Sequence, residues 1–274
     1  MEIVKNSNES SVLVTEELDV RYANTPIVTK LSLSIVKGKI TALTGTNGSG
    51  KSTLLKAMAR LLKPYEGAVY LDGIAISTLS TAAVARQLAV LPQSPEVPAI
   101  LTVRELVEQG RYPHAGPLRM LKRQDHSAID DALELTGMTS FQDRMLDTLS
   151  GGERQRAWIA LSLAQSTPIL MLDEPTTFLD VRHQLEILEL IRKLNRERGM
   201  TIVVVLHDLN QAAKYADRMV VLQKGRIVAD GEPDEVLTVQ TLEQAFGIHA
   251  NVIKDPESGN PVFLPYAIAK GSKL

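Results

Sequence analysis

The sequence predicts an α/β fold: a mostly parallel sheet flanked by helices, with an N-terminal antiparallel β part and an inserted helical subdomain. Three observations carry this. ILMLD (169–173) and IVVVL (202–206) are continuously apolar, the pattern of parallel strands covered on both faces. LSLSI (31–35) instead alternates apolar and polar residues, the pattern of a strand with one wet face. Between these regions Pro92, Pro95 and Pro98 crowd one loop, a hinge into a separate unit.

Taken in order, residues 1–11 read as a flexible polar tail and 12–44 as strands, with a turn at Lys37-Gly38 before ITALT. A glycine-rich loop follows, then the apolar-periodic helix STLLKAMARLL, stopped before Pro64. AVYLDG reads as an edge strand and LAVLP (88–92) as a buried one. The inserted unit, at about 94–140, opens with Thr102 and Glu105 at capping-box spacing. Its second helix lies near DHSAIDDALELTGM, with Gly137 as the C-terminal stop.

Alternation then resumes: ILMLD, a helix VRHQLEILELIRKLNRER ending at Gly199, TIVVVL, and a helix LNQAAKYAD. MVVLQKGRIVADG reads as a hairpin, followed by small helices. The expectation is one domain over 12–274, with a small C-terminal extension at about 232–274.

Composition removes several function classes. The 274 residues are 44% hydrophobic and 23% charged, with a net charge of -2, so no basic excess points to nucleic acid. There is no cysteine, which excludes disulfides, thiolate zinc sites and thiol nucleophiles. The first residues lack a signal-peptide core, and no apolar run approaches the ~18 residues that span a bilayer. A cytoplasmic protein is expected, reaching any membrane through a partner.

The chemistry concentrates in a few motifs. GTNGSGKST (45–53) fits G-x-x-x-x-G-K-[ST] between a buried strand and a helix, the context that confirms a phosphate loop of a P-loop NTPase. Gly45, Thr46, Asn47, Gly48, Ser49, Gly50 and Thr53 would wrap phosphates with backbone N–H groups. Lys51 would reach the β and γ phosphates, and Ser52 would ligate Mg²⁺. Asp173 ends an apolar strand and can hold Mg²⁺ through water opposite Ser52. Glu174 beside it can polarise an attacking water.

His207 ends IVVVL, where it could hydrogen-bond a γ phosphate. Gln93 lies at the hinge, and Tyr22 stands before the core strands, where a ring could stack on a base. LSGGERQ (149–155) sets two glycines, Gly151 and Gly152, at a helix start. Ser150 and Glu153 complete a capping box there, which leaves the bare glycines to be explained.

The order of phosphate loop, hinge glutamine, LSGGE, LMLDEP, TTFLD and LHD resembles the nucleotide-binding subunits of ABC transporters over nearly the whole chain. That resemblance implies roles. Tyr22 matches the aromatic that stacks on adenine, and Gln93 the glutamine that senses Mg²⁺ and links to the membrane subunit. Asp173 and Glu174 match the Walker B acid and the catalytic glutamate. Asp180 matches the D-loop aspartate, and His207 the switch histidine. It also implies ATP and Mg²⁺ as ligands and a head-to-tail homodimer, in which Ser150, Gly151, Gly152 and Glu153 of one subunit cap ATP held by the other. Glu153 departs from the commoner glutamine.

VLPQSPEVPAILTVRELVEQGRYPH and HDLNQAAKYAD resemble the ATPases of ferric-siderophore, haem and cobalamin importers, with TTFLDVRHQLEILEL and LVEQGRYPH leaning toward ferric siderophores. The resemblance implies a peripheral subunit on the cytoplasmic membrane face. It would dock permease subunits through the insertion and meet a substrate-binding protein only indirectly. The alternatives are a cobalamin or haem importer, or a soluble ABC-type ATPase of iron–sulfur assembly.

Overall fold

The computed structural model describes residues 10–93, 100–114 and 121–269. The 94–99 stretch that holds Pro95 and Pro98, and most of the expected tail, lie outside the described residues. The antiparallel part comprises β1 (Ser11–Tyr22), β2 (Thr25–Val36), β4 (Glu66–Leu71) and the two-residue β5 (Ile74–Ala75), in the order β2-β1-β4-β5. Ser11 already pairs with Val36, and the Ser10 carbonyl accepts from Lys37 N–H at 3.1 Å. The expected tail is therefore two residues too long, because the β1–β2 ladder holds its end.

The second sheet has the order β10-β9-β3-β8-β7-β6. Its strands are β3 (Ile40–Gly45), β6 (Leu88–Leu91), β7 (Ile169–Asp173), β8 (Thr201–Val205), β9 (Arg218–Gln223) and β10 (Arg226–Gly231). All its pairings are parallel except β9–β10. Every residue of β3, β7 and β8 is buried, which is why these strands carry no polar alternation.

Helix α1 (Lys51–Met58) fills the space between the two sheets, where Leu54, Leu55 and Met58 meet Leu13, Ile35, Val203 and Val205 in one core. The opposite face of the parallel sheet is covered by α6 (Val181–Arg198) and α7 (Leu209–Tyr215). The short α2 (Thr81–Ala85) leads into β6.

The helix after the glycine-rich loop ends earlier than its apolar period suggests. Arg60 turns left-handed at φ 60. Leu61 N–H returns to the Lys56 carbonyl at 2.8 Å and Arg60 N–H to Ala57 at 3.0 Å. This pair of bonds is a Schellman stop, so Leu61 and Leu62 leave the helix although their spacing would continue it.

Helices α3 (Val103–Glu108) and α4 (Arg123–Leu135) pack on α5 (Gly151–Ala164) around a separate apolar cluster. Thr102 and Glu105 form the expected capping box, and Gly137 turns at φ 67. The cluster runs past position 140 to Leu146, Leu149, Ala157 and Ala160, so the helical unit borrows one face of α5. Buried Arg111 joins its parts, meeting Asp125 at 2.9 Å and the Ala164 carbonyl at 2.6 Å.

The hairpin of β9 and β10 is as expected. A second one, β11 (Ile248–Lys254) with β12 (Pro261–Ile268), stands where only small helices were expected. Prolines 261 and 265 discourage reading PVFLPYAI as a strand. One begins the strand and the other sits beside a register shift at His249 and Ala250, in a two-stranded ribbon where each strand has a free edge. The ribbon docks on α7 through Asn210, which accepts from Phe263 N–H at 2.9 Å.

Candidate functional site

The two sheets, the loop after β3 and the start of α1 meet at one cleft of about 500 Å³. It is lined by Tyr22, Ile27, the loop 47–50, the start of α1, Gln93, Glu174 and His207. The loop leaves β3 at Gly45, whose φ is 138. A Cβ there would lie 2.1 Å from the Leu222 carbonyl, so only glycine lets β3 turn into the loop beside β9.

Gly50 then opens α1, whose first turn carries no acidic side chain and no side-chain cap. Its N–H groups are left for an anion. Lys51 points back into the loop and donates to the carbonyls of Gly45 and Thr46, both at 3.0 Å. Burial lowers its pKa, while the carboxylates of Glu174 and Asp173 oppose that shift.

Ser52 Oγ donates to Asp173 Oδ1 at 2.7 Å. Asp173 is 1% exposed, and its Oδ2 has no hydrogen-bond partner among the described residues. Burial raises its pKa, against the bond from Ser52 and the charge of Lys56. A buried carboxylate oxygen without a partner is costly, and with the hydroxyl it forms a pair of hard oxygens suited to Mg²⁺. The residues fit that ion.

Glu174 directly follows β7 and takes a left-handed backbone, φ 54. Its carboxylate meets His207 Nε2 at 2.5 Å and accepts from Gln93 Nε2 at 2.5 Å and Thr177 Oγ1 at 3.2 Å. Gln93, Glu174 and His207 come from just beyond the carboxyl ends of β6, β7 and β8, which are neighbours in the sheet. Ligands of open α/β sheets bind at that edge. Tyr22 faces them from the end of β1 with 48% of its surface exposed.

The structure thus brings Tyr22, the loop 45–53, Gln93, Asp173, Glu174 and His207 together. It leaves Ser150, Gly151, Gly152, Glu153 and Asp180 off this cleft. Ser150 and Glu153 form a reciprocal cap on α5, with bonds of 3.3 and 2.8 Å. Asp180 caps α6 by accepting from His183 N–H at 2.9 Å, and this bond with the His183 ring holds its carboxyl below the usual range. Ile27 is a lining residue that the sequence did not announce. It is an ordinary strand residue until β2 folds onto β1 beside the loop.

Residues 28–177 match the ABC transporter family. The iron(3+)-hydroxamate import ATP-binding protein FhuC of Bacillus subtilis is 49% identical over 261 residues, covering 95% of this chain and 97% of that one. The ferric enterobactin transport ATP-binding protein FepC of Escherichia coli is 45% identical over 250 residues, covering 91% and 92%. Among solved structures, the dimeric ABC transporter cassette MJ0796 superposes with a TM-score of 0.70 at 29% identity, covering 80% of this chain and 98% of that one. The same cassette is also known bound to ADP and Pi, with a TM-score of 0.70 at 28% identity. This chain therefore belongs to the ABC transporter family as one of its ATP-binding, ATP-hydrolysing subunits.

Proposed function

We propose that two copies of this chain, head to tail on the cytoplasmic face of the cell membrane, hydrolyse MgATP to drive a permease that imports a ferric siderophore. The observation that carries the nucleotide chemistry is the Ser52–Asp173 pair beside Glu174. Ser52 and Asp173 would hold Mg²⁺, with Gln93 beside them, and the ion would supply positive charge to offset that of the phosphates.

In this reading Lys51 exchanges its two carbonyl partners for phosphate oxygens, and the N–H groups of the loop and α1 take up the rest. Glu174 accepts the proton of the attacking water, and Gln93 and Thr177 orient its carboxylate. His207 Nε2, already on Glu174, donates toward the γ phosphate. Tyr22 stacks on the base. Gly151 is exposed at the α5 N-terminus and off its own chain's cleft, which supports its use by a second copy.

The cargo rests on the relatives, whose names specify iron(3+)-hydroxamate, ferric enterobactin and petrobactin. The helical unit of α3 and α4 is the surface offered to the permease, and a substrate-binding protein acts through that permease. A strain lacking this chain should lose iron uptake from at least one ferric siderophore and keep cobalamin use. The reverse pattern would move the protein to the cobalamin importers, and retained uptake with a soluble complex would move it to iron–sulfur assembly.

A further inference from the structure

The two glycines that open α5 have different surroundings. A Cβ on Gly151 would meet Leu179 Cδ2 at 3.6 Å, an ordinary contact. A Cβ on Gly152 would lie 2.3 Å from His183 Cδ2 and 2.7 Å from His183 Cγ. Gly152 is buried, and the imidazole of His183, from the first turn of α6, is what covers it. No side chain fits at 152 while that ring stays in place.

The ring has a second attachment. His183 Nδ1 lies 2.9 Å from both carboxylate oxygens of Asp180. Asp180 only accepts, so Nδ1 carries the proton. The neighbouring Gln184 donates to the carbonyls of Thr176 and Leu179, at 3.4 and 3.1 Å. The turn 176–180 is thereby fastened to the first turn of α6, and His183 carries that attachment onto the backbone of α5.

We propose that His183 is a positioning residue that fixes the Asp180 turn against the N-terminus of α5, and that Gly152 is bare to seat its ring. The two elements would present to a second subunit as one rigid surface, since a planar ring held between a carboxylate and a backbone has little freedom. This rests on the head-to-tail reading above.

The experiment is a double-variant cycle on the full chain carrying Glu174→Gln, which keeps ATP bound. Gly152→Ala, His183→Ala and their combination are compared for nucleotide affinity of the monomer and for ATP-dependent dimer formation in sedimentation. Gly152→Ala should weaken the dimer, with nucleotide affinity unchanged. Adding His183→Ala should recover about tenfold, a coupling expected only between touching residues. No recovery in the combination overturns the proposal.

His183→Asn and His183→Leu give a second reading if Gly152→Ala does not fold. Asn places an amide donor near the position of Nδ1, whereas Leu fills the space without a donor. Dimer formation close to the parent for Asn and well below it for Leu is expected. Leu equal to Asn would reduce His183 to packing and overturn the positioning role. If the Glu174→Gln parent itself forms no ATP-dependent dimer, the head-to-tail reading fails. A parent that dimerises, with an unrescued combination, sinks this inference alone.

Discussion

The carboxylate of Glu174 stands 2.5 Å from the imidazole Nε2 of His207, just beyond the ends of adjacent parallel strands. One oxygen faces the histidine, and the other accepts from Gln93 and Thr177. An acid held on both oxygens has a fixed direction from which to take a proton, which is what a general base requires.

The first prediction follows from that geometry. Glu174→Gln should lower steady-state hydrolysis by roughly 10²–10⁴-fold, the usual worth of a positioned base, with ATP affinity little changed. The amide keeps the shape and can still accept from Gln93 or Thr177, so misfolding would not explain the loss. Equal turnover in the purified variant would remove Glu174 from the role.

A second prediction concerns Asp173, whose pKa is raised chiefly by burial. An acid with a raised folded-state pKa binds more protons folded than unfolded. It therefore costs stability as pH rises from its ordinary value through the folded one, and keeps costing it above. Asp173→Asn should raise the melting temperature of the nucleotide-free protein at neutral pH by a few degrees. The gain should shrink on acidification through that window, where the native acid is itself protonated. The same variant should lose Mg²⁺-dependent ATP retention. A variant that melts lower at neutral pH would contradict this account of the buried carboxylate.

Much of this site is local in sequence, which is why it could be read there. Gly45, Lys51 and Ser52 are placed by one strand–loop–helix unit. Asp173, Glu174 and His207 follow directly from strand ends, and the sheet order does the rest. Ile27 and the His183 seat were not legible, because each depends on a contact between elements far apart in the chain. Gly152 shows the limit best: its spacing marked a helix start, but only α6 lying against α5 reveals what its missing Cβ makes room for. The early stop of α1 had no signal either, since Arg60 is an unusual residue for a left-handed cap.

The helical unit yields the third prediction. Ile100 is 81% exposed and Arg123 is exposed at the start of α4; neither belongs to the apolar cluster of α3, α4 and α5. Ile100→Asp with Arg123→Glu should abolish siderophore-dependent growth while leaving ATP binding and melting temperature near those of the parent. Intact uptake in that variant, and in further reversals across the unit, would put the permease contact elsewhere.

The last prediction asks whether α5 serves its own cleft or a partner's. Ser150, Gly151 and Glu153 lie off the cleft that holds Lys51, so a lesion in each can be separated between chains. Lys51→Ala disables a phosphate loop and leaves the α5 start usable. Ser150→Arg does the opposite, placing bulk and charge where a partner's γ phosphate must approach. Dimers of either variant alone contain no intact pair. In a mixed dimer one site combines both lesions, and the other combines an intact Lys51 loop with an intact Ser150 helix. Labelled ATP should therefore be retained through rapid gel filtration with Mg²⁺ by the mixture and by neither variant alone. Hydrolysis is a weaker readout, because both sites can be required to fire together. Were α5 to act on its own subunit's nucleotide, mixing could restore nothing, since every chain carries one lesion in its only site. Equal loss in all three samples, with mixed dimers verified by differential tags, would refute action in trans.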